Sequence, residues 1–102
     1  MAFTKVATVQ EVPAGTGKLV EAAGRKVALF NVGGTFYAID DTCTHRGGPL
    51  SEGELNGAEV TCPWHGARFD VTTGANLSPP APSGVARYQV QVAGDEIQID
   101  LP

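Results

Sequence analysis

The sequence has few basic residues, no long apolar run and no basic segment followed by an apolar one at its start. Seven Lys and Arg against eleven Asp and Glu give a net charge of −4, which argues against binding to nucleic acid or to an anionic membrane surface. The longest apolar run is the four residues Val27–Phe30, far short of the roughly 20 residues that span a bilayer. Residues 1–6 predict no signal peptide, so we expect a cytoplasmic protein.

Cysteine and histidine are also scarce, and all of them lie close together. Cys43, His45, Cys62 and His65 fall within 23 residues. In a reducing compartment a lone structural disulfide is not expected, and Cys near His favours metal ligation or catalysis. A chain of 102 residues has only a modest core, so a bound metal would also help it to fold.

No stretch of the sequence keeps a helical apolar period. Thirteen Gly and seven Pro indicate a loop-rich domain, and short alternating runs predict antiparallel strands. Gly33-Gly34 predicts a tight hairpin over residues 26–40, and Ala93-Gly94-Asp95 predicts a second one near the end. The predicted strands cover residues 3–9, 18–22, 26–32, 35–40, 58–61, 67–71, 86–92 and 96–101. We therefore predict one small all-β domain over residues 1–102, with a loop-built site inserted between strands.

The four Cys and His residues form the pattern C-x-H, sixteen residues, then C-x-x-H. Two thiolates and two imidazoles suit Zn²⁺ or an iron–sulfur centre. Zinc fingers commonly place like ligands in one knuckle, whereas each knuckle here is mixed, which favours a two-iron centre with both Cys on one iron and both His on the other. Gly47, Gly48 and Gly66 follow the His residues and would let backbone N–H groups approach bridging sulfides.

With these spacings, the segments C-T-H-R-G-G-P-L at 43–50 and C-P-W-H-G-A-R-F-D at 62–70 resemble the two cluster-binding boxes of the Rieske [2Fe–2S] family. The resemblance implies an antiparallel β-sandwich base and a cluster-binding subdomain at about residues 41–82. It also implies that Cys43 and Cys62 bind the inner iron and that His45 and His65 bind the outer iron. The Pro79-Pro80-Ala81-Pro82 stretch resembles the loop that covers the cluster.

Two departures from the family's quinol-oxidising members indicate a low potential. Those proteins carry an additional Cys in each box, where this sequence has Gly48 and Trp64. They also place Ser and Tyr hydroxyls near the cluster, where this sequence has Ala67 and Phe69. Fewer hydrogen-bond donors destabilise the more negative, reduced cluster. The chain thus resembles the soluble ferredoxin component of Rieske-type oxygenase systems.

This resemblance implies a monomeric one-electron carrier with one [2Fe–2S] cluster, and not an enzyme by itself. Its partners would be an NAD(P)H-dependent reductase and a terminal oxygenase of the type that hydroxylates aromatic rings. Two alternatives stay open: a small Rieske-like subunit of an assimilatory nitrite reductase, and a zinc-stabilised interaction module. A Cys–His nucleophile pair would leave the other Cys and His unexplained.

Several residues beside the boxes have simple structural interpretations. We expect Trp64 to shield the cluster by packing, although it would alternatively face a redox partner. Asp41 is expected to cap a local turn. Glu52, Glu54 and Glu59 are expected to form a solvated face, and Arg46 and Arg68 either steer a partner or lie in solvent.

Overall fold

The central feature of the fold is a β-strand that is buried on both of its faces. The structure is a computed structural model, and it describes residues 2–22, 24–42, 49–64, 66–77 and 84–101. The strands are β1 (Ala2–Thr8), β2 (Gly17–Ala22), β3 (Arg25–Val32), β4 (Thr35–Asp40), β5 (Glu54–Asn56), β6 (Glu59–Thr61), β7 (Arg68–Asp70), β8 (Arg87–Tyr88), β9 (Val90–Ala93) and β10 (Glu96–Leu101). Two 3-10 turns lie at Val9–Glu11 and Leu50–Glu52.

The strands form three antiparallel sheets, which confirms the predicted all-β class. The terminal sheet has the order β1-β10-β9, the central sheet has the order β2-β3-β4-β8, and the small sheet has the order β5-β6-β7. In the central sheet β3 lies between β2 and β4. The small sheet is built entirely from residues 54–70: β5 and β6 lie between the two sequence boxes, and β7 is the end of the second box.

Strand β3 separates two apolar cores. Val27 and Leu29 pack with Ile97 and Ile99 of β10 in one core. Because side chains alternate across a strand, Ala28 and Phe30 point to the opposite face. They belong to the second core, whose other members are Ile39, Leu50, Val60, Cys62, Ala67, Phe69 and Val71. The short run Val27–Phe30 is therefore apolar throughout because both faces are covered.

Both predicted hairpins are confirmed. Val32 pairs with Thr35 across Gly33-Gly34, and both glycines have positive φ angles of 62° and 98°, as a two-residue hairpin turn requires. In the last hairpin Val90 pairs with Ile99 and Val92 with Ile97. This places their side chains on one face, as the alternation predicts.

Two strand predictions were wrong or incomplete. Residues 86–92 were predicted as one strand, but the strand breaks at Gln89: Tyr88 pairs with Ala38 in the central sheet, whereas Val90 belongs to the terminal sheet. Apolar and polar residues keep alternating through the break, so the sequence pattern does not reveal it. Strand β5 was not predicted, because Leu55 is the only apolar residue in its three positions. In the described residues, no helix is long and apolar enough to cross a membrane.

Candidate metal centre

Of the four predicted ligands, the structure describes Cys62. Cys43, His45 and His65 lie outside the described residues, as do Arg46, Gly47, Gly48 and the 79–82 loop. Cys62 directly follows β6, is only 3% exposed, and packs in the second core. The second box therefore begins at the end of a strand, and its sulfur lies among apolar side chains.

A tight turn between β6 and β7 holds Cys62 in place. The Cys62 N–H donates to the Ala67 carbonyl at 2.7 Å, and the Gly66 N–H donates to the Cys62 carbonyl at 3.1 Å. Gly66 has a φ of 76°, which residues with a Cβ adopt at a cost. Gly66 was predicted to let backbone N–H groups approach bridging sulfides, and its own N–H closes this turn.

The side chains around Cys62 carry no hydroxyl at the two positions that the sequence singled out. Ala67 and Phe69 are both fully buried in the same core as Cys62. Val60 in β6 is also fully buried in this core. This surrounding is apolar, so a thiolate at Cys62 would need a cation or donors from the chain to offset its loss of hydration.

Trp64 does not pack in the way that we expected. It lies in the turn between Cys62 and Gly66 and is 55% exposed. On the adjoining segment, Leu77 is 44% exposed, and its N–H donates to the Arg68 carbonyl at 2.7 Å. The end of the small sheet thus presents large apolar side chains to solvent.

The outer face of the small sheet is polar and largely solvated. Arg68 and Glu59 form an ion pair at 3.4 Å with both side chains about half exposed, and such pairs contribute little to stability. Glu52 and Glu54 are exposed. These positions agree with the predicted solvated acidic face.

The two ends of the first box are tied together by Asp41. Its carbonyl accepts the Leu50 N–H at 2.7 Å, and its Oδ1 accepts the Ser51 N–H at 2.7 Å. Thr42 and Pro49 form an antiparallel bridge just inside this contact. Asp41 was expected to cap a local turn, but its side chain reaches across ten residues.

A second polar contact near the first box was not predicted. The Tyr88 hydroxyl donates to Asp40 Oδ1 at 2.5 Å and accepts from Arg25 Nη1 at 3.3 Å. Burial, followed by the hydrogen bond to Asp40, raises the pKa of the Tyr88 phenol. The contact depends on the pairing of β4 with β8, so no local sequence pattern could have revealed it.

The chemistry of the donor set, two thiolates and two imidazoles, fits an iron–sulfur centre. Cys62 is buried directly after β6, and the chain's other Cys and both His belong to the same two boxes. Among the described residues, no group of three or more Cys, His, Asp or Glu could form a separate metal site. Cys62 therefore marks where a thiolate-bound group would sit.

Comparisons with known proteins agree with this site. The model of the Rieske [2Fe-2S] domain family matches residues 2–89. The ferredoxin component of the naphthalene 1,2-dioxygenase system of Pseudomonas aeruginosa is 41% identical over 91 residues, covering 89% of this chain and 88% of the relative.

Solved structures show the same fold. The ferredoxin of carbazole 1,9a-dioxygenase from Nocardioides aromaticivorans IC177 superposes with a TM-score of 0.92 at 33% identity, covering 97% of both chains. A chain from a complex of reduced oxygenase and oxidised ferredoxin in carbazole 1,9a-dioxygenase has a TM-score of 0.89 at 37% identity, covering 95% of this chain and 91% of that one. This chain belongs to the Rieske [2Fe-2S] domain family, and its cofactor is a [2Fe–2S] cluster.

Proposed function

We propose that this protein is a one-electron carrier. It would accept electrons from an NAD(P)H-dependent reductase and deliver them to a terminal oxygenase that hydroxylates aromatic rings, without transforming a substrate itself. The observation that carries the proposal is the 41% identity, over nearly the whole of both chains, to a dioxygenase ferredoxin component. When bound, the [2Fe–2S] cluster supplies a site that gains and loses one electron.

We propose that Cys43 and Cys62 ligate the inner iron, and that His45 and His65 ligate the outer iron. The burial of Cys62 supports its place on the inner side, because a 3% exposed thiolate is shielded from water and partners. The subdomain that holds these ligands would cover residues 41–82, which include the whole small sheet. The carrier would act as a monomer in the cytoplasm.

The apolar surroundings of Cys62 support a low reduction potential. Ala67 and Phe69 fill positions beside it without offering a hydroxyl. Hydrogen bonds to cluster sulfurs stabilise the reduced state because its charge is more negative. A carrier with fewer of these bonds would be a strong enough reductant to drive an oxygenase.

The exposed end of the small sheet supports electron exit beside His65. Trp64 directly precedes His65 and is more than half exposed. Aromatic side chains are enriched where proteins dock. We propose that Trp64 contacts the oxygenase, with His65 lying between the cluster and that partner.

A two-stage experiment tests the carrier function. The purified protein should first show iron–sulfur charge-transfer absorption with two iron atoms and two sulfides per chain. It should then support electron flow from NADH through a dioxygenase reductase to a terminal oxygenase, measured as substrate hydroxylation. A colourless zinc protein would refute the cluster, and a coloured protein that reduces no oxygenase would refute the partner assignment.

A matched pair of variants tests the docking proposal. Trp64→Ala should slow electron transfer to the oxygenase about tenfold or more, because truncating an aromatic hot spot costs about 2 kcal/mol or more of binding energy. Phe3→Ala is the control, since Phe3 is 40% exposed on β1 in the terminal sheet. Equal rates in the two variants would exclude Trp64 from the docking surface.

A further inference from the structure

Asp41 is a buried carboxylate that the proposed electron transfer does not use. It is 4% exposed and lies just after β4, two residues before Cys43. Burial of a carboxylate is costly unless hydrogen bonds replace its hydration. Asp41 lies next to the first box, so its hydrogen bonds act where the chain enters that box.

Asp41 joins three separate segments of backbone. Its own N–H donates to the Lys26 carbonyl at 3.2 Å, which extends the pairing of β4 with β3 by one residue. Its carbonyl and its Oδ1 accept the N–H groups of Leu50 and Ser51, both at 2.7 Å. These are the first two N–H groups of the 3-10 turn Leu50–Glu52, which have no acceptor within the turn itself.

Both residues that donate to Asp41 are buried, and Leu50 belongs to the second core. Leu50 is fully buried there, and the Ser51 residue is 9% exposed. The entry and the exit of the first box are therefore held to each other by one backbone bond and one side-chain bond of Asp41, next to the bridge of Thr42 with Pro49. Since the chain between Thr42 and Pro49 contains Cys43 and His45, the separation of those ends limits where both can lie.

We propose that Asp41 is a positioning residue for the cluster, acting through the hydrogen bond from Ser51 N–H and not through its charge. The inference rests on the proposed function, because it takes Cys43 and His45 as ligands. It concerns the residue that holds together the two ends of the segment carrying them, and it gives that residue no role as a ligand.

The test compares cluster release and the electron paramagnetic resonance spectrum of the reduced holoprotein across variants. Release is followed as loss of visible absorption in excess chelator. Asp41→Ala should release the cluster about tenfold faster, as expected when a buried N–H loses its acceptor, and should broaden the spectrum. Asp41→Asn keeps an oxygen that can accept the Ser51 N–H, so it should stay within about twofold of the wild-type rate and keep the wild-type spectrum.

Two further variants separate positioning from general stability. Asn31 makes a similar contact in the β3–β4 hairpin, where its Oδ1 accepts the Gly34 N–H at 2.7 Å. Asn31→Ala should lower the free energy of unfolding and leave the spectrum unchanged. Ser51→Ala keeps the backbone N–H that Asp41 accepts, so it should behave like wild type.

Each outcome decides the proposal. The proposal would be overturned if Asp41→Ala kept the wild-type release rate and spectrum. It would also be overturned if Asn31→Ala changed the release rate and the spectrum as much as Asp41→Ala does. Asp41→Asn as defective as Asp41→Ala would show that the charge matters instead. If Asp41→Ala does not fold, Asp41→Ser replaces it. The serine hydroxyl ends one bond short of the Oδ1 position, so this variant also weakens the bond from the Ser51 N–H. A wild-type protein without a cluster would refute the proposed function itself.

Discussion

Two hydroxyl groups added beside Cys62 should raise the reduction potential of the cluster. The variant combines Ala67→Ser with Phe69→Tyr, and both positions are fully buried in the same core as Cys62. The Cys62 N–H donates to the Ala67 carbonyl at 2.7 Å, so position 67 lies directly across the turn from the Cys62 backbone. A new hydroxyl there is shielded from water and must bond within the protein.

The expected shift follows from the strength of such bonds. A hydrogen bond to a charged acceptor contributes about 1.5–3 kcal/mol, and only the part that grows on reduction changes the potential. If about a third of it is differential, each hydroxyl contributes about 0.5–1 kcal/mol. Because about 1.4 kcal/mol corresponds to 59 mV for one electron, the double variant should rise by about 40–80 mV.

Potentiometric titration of the visible absorption measures this shift in potential. Urea unfolding measures how much the two substitutions change the free energy of unfolding. Ala38→Ser is the control, because Ala38 is equally buried but belongs to the other core. It should lose stability through an unsatisfied hydroxyl and keep the wild-type potential. An unmoved or lowered potential in the double variant would mean that the cluster sulfurs do not lie near positions 67 and 69.

Two other predictions concern the proposed outer ligands, His45 and His65, and the Tyr88 contact. His45→Cys or His65→Cys should lower the midpoint potential and change the absorption spectrum, because a thiolate adds negative charge where imidazole is neutral; unchanged midpoints in both variants would exclude these His as ligands. Tyr88→Phe removes the hydrogen bond to Asp40 and should lower the free energy of unfolding at neutral pH by about 1–2 kcal/mol. Because the pKa of Tyr88 is raised in the folded state, the wild type should lose stability as pH rises above about 10, where the unfolded phenol ionises first. Urea unfolding across that range should show a weaker pH dependence in Tyr88→Phe, and an identical dependence would refute the contact.

The sequence predicted best the features that depend on neighbouring residues. The Gly33-Gly34 hairpin and strand β10 follow from turn chemistry and clean alternation. The two boxes could be recognised because the spacing of their Cys and His residues is specific, and the family that they indicate is confirmed. The roles of Cys43, His45, Cys62 and His65 as ligands stay predictions.

Contacts between distant segments could not be predicted in this way. Asp41 binds Ser51 ten residues away, and Tyr88 binds Asp40 across 48 residues. The break at Gln89 was hidden because its neighbours keep the same alternation while pairing with different sheets. Trp64 was expected to pack because aromatic side chains usually do, but its place in a tight turn leaves it exposed.

The central claim is that this protein is a low-potential Rieske carrier, and the midpoint potential as a function of pH tests it most directly. Protein-film voltammetry should give one reversible one-electron wave near the low end of the Rieske range, at about −150 mV. If His45 and His65 are the outer ligands, as proposed, the midpoint should stay flat through neutral pH and should fall only at alkaline pH. A midpoint in the positive hundreds of millivolts, or a slope already present at pH 7, would contradict the account and indicate a quinol-oxidising type.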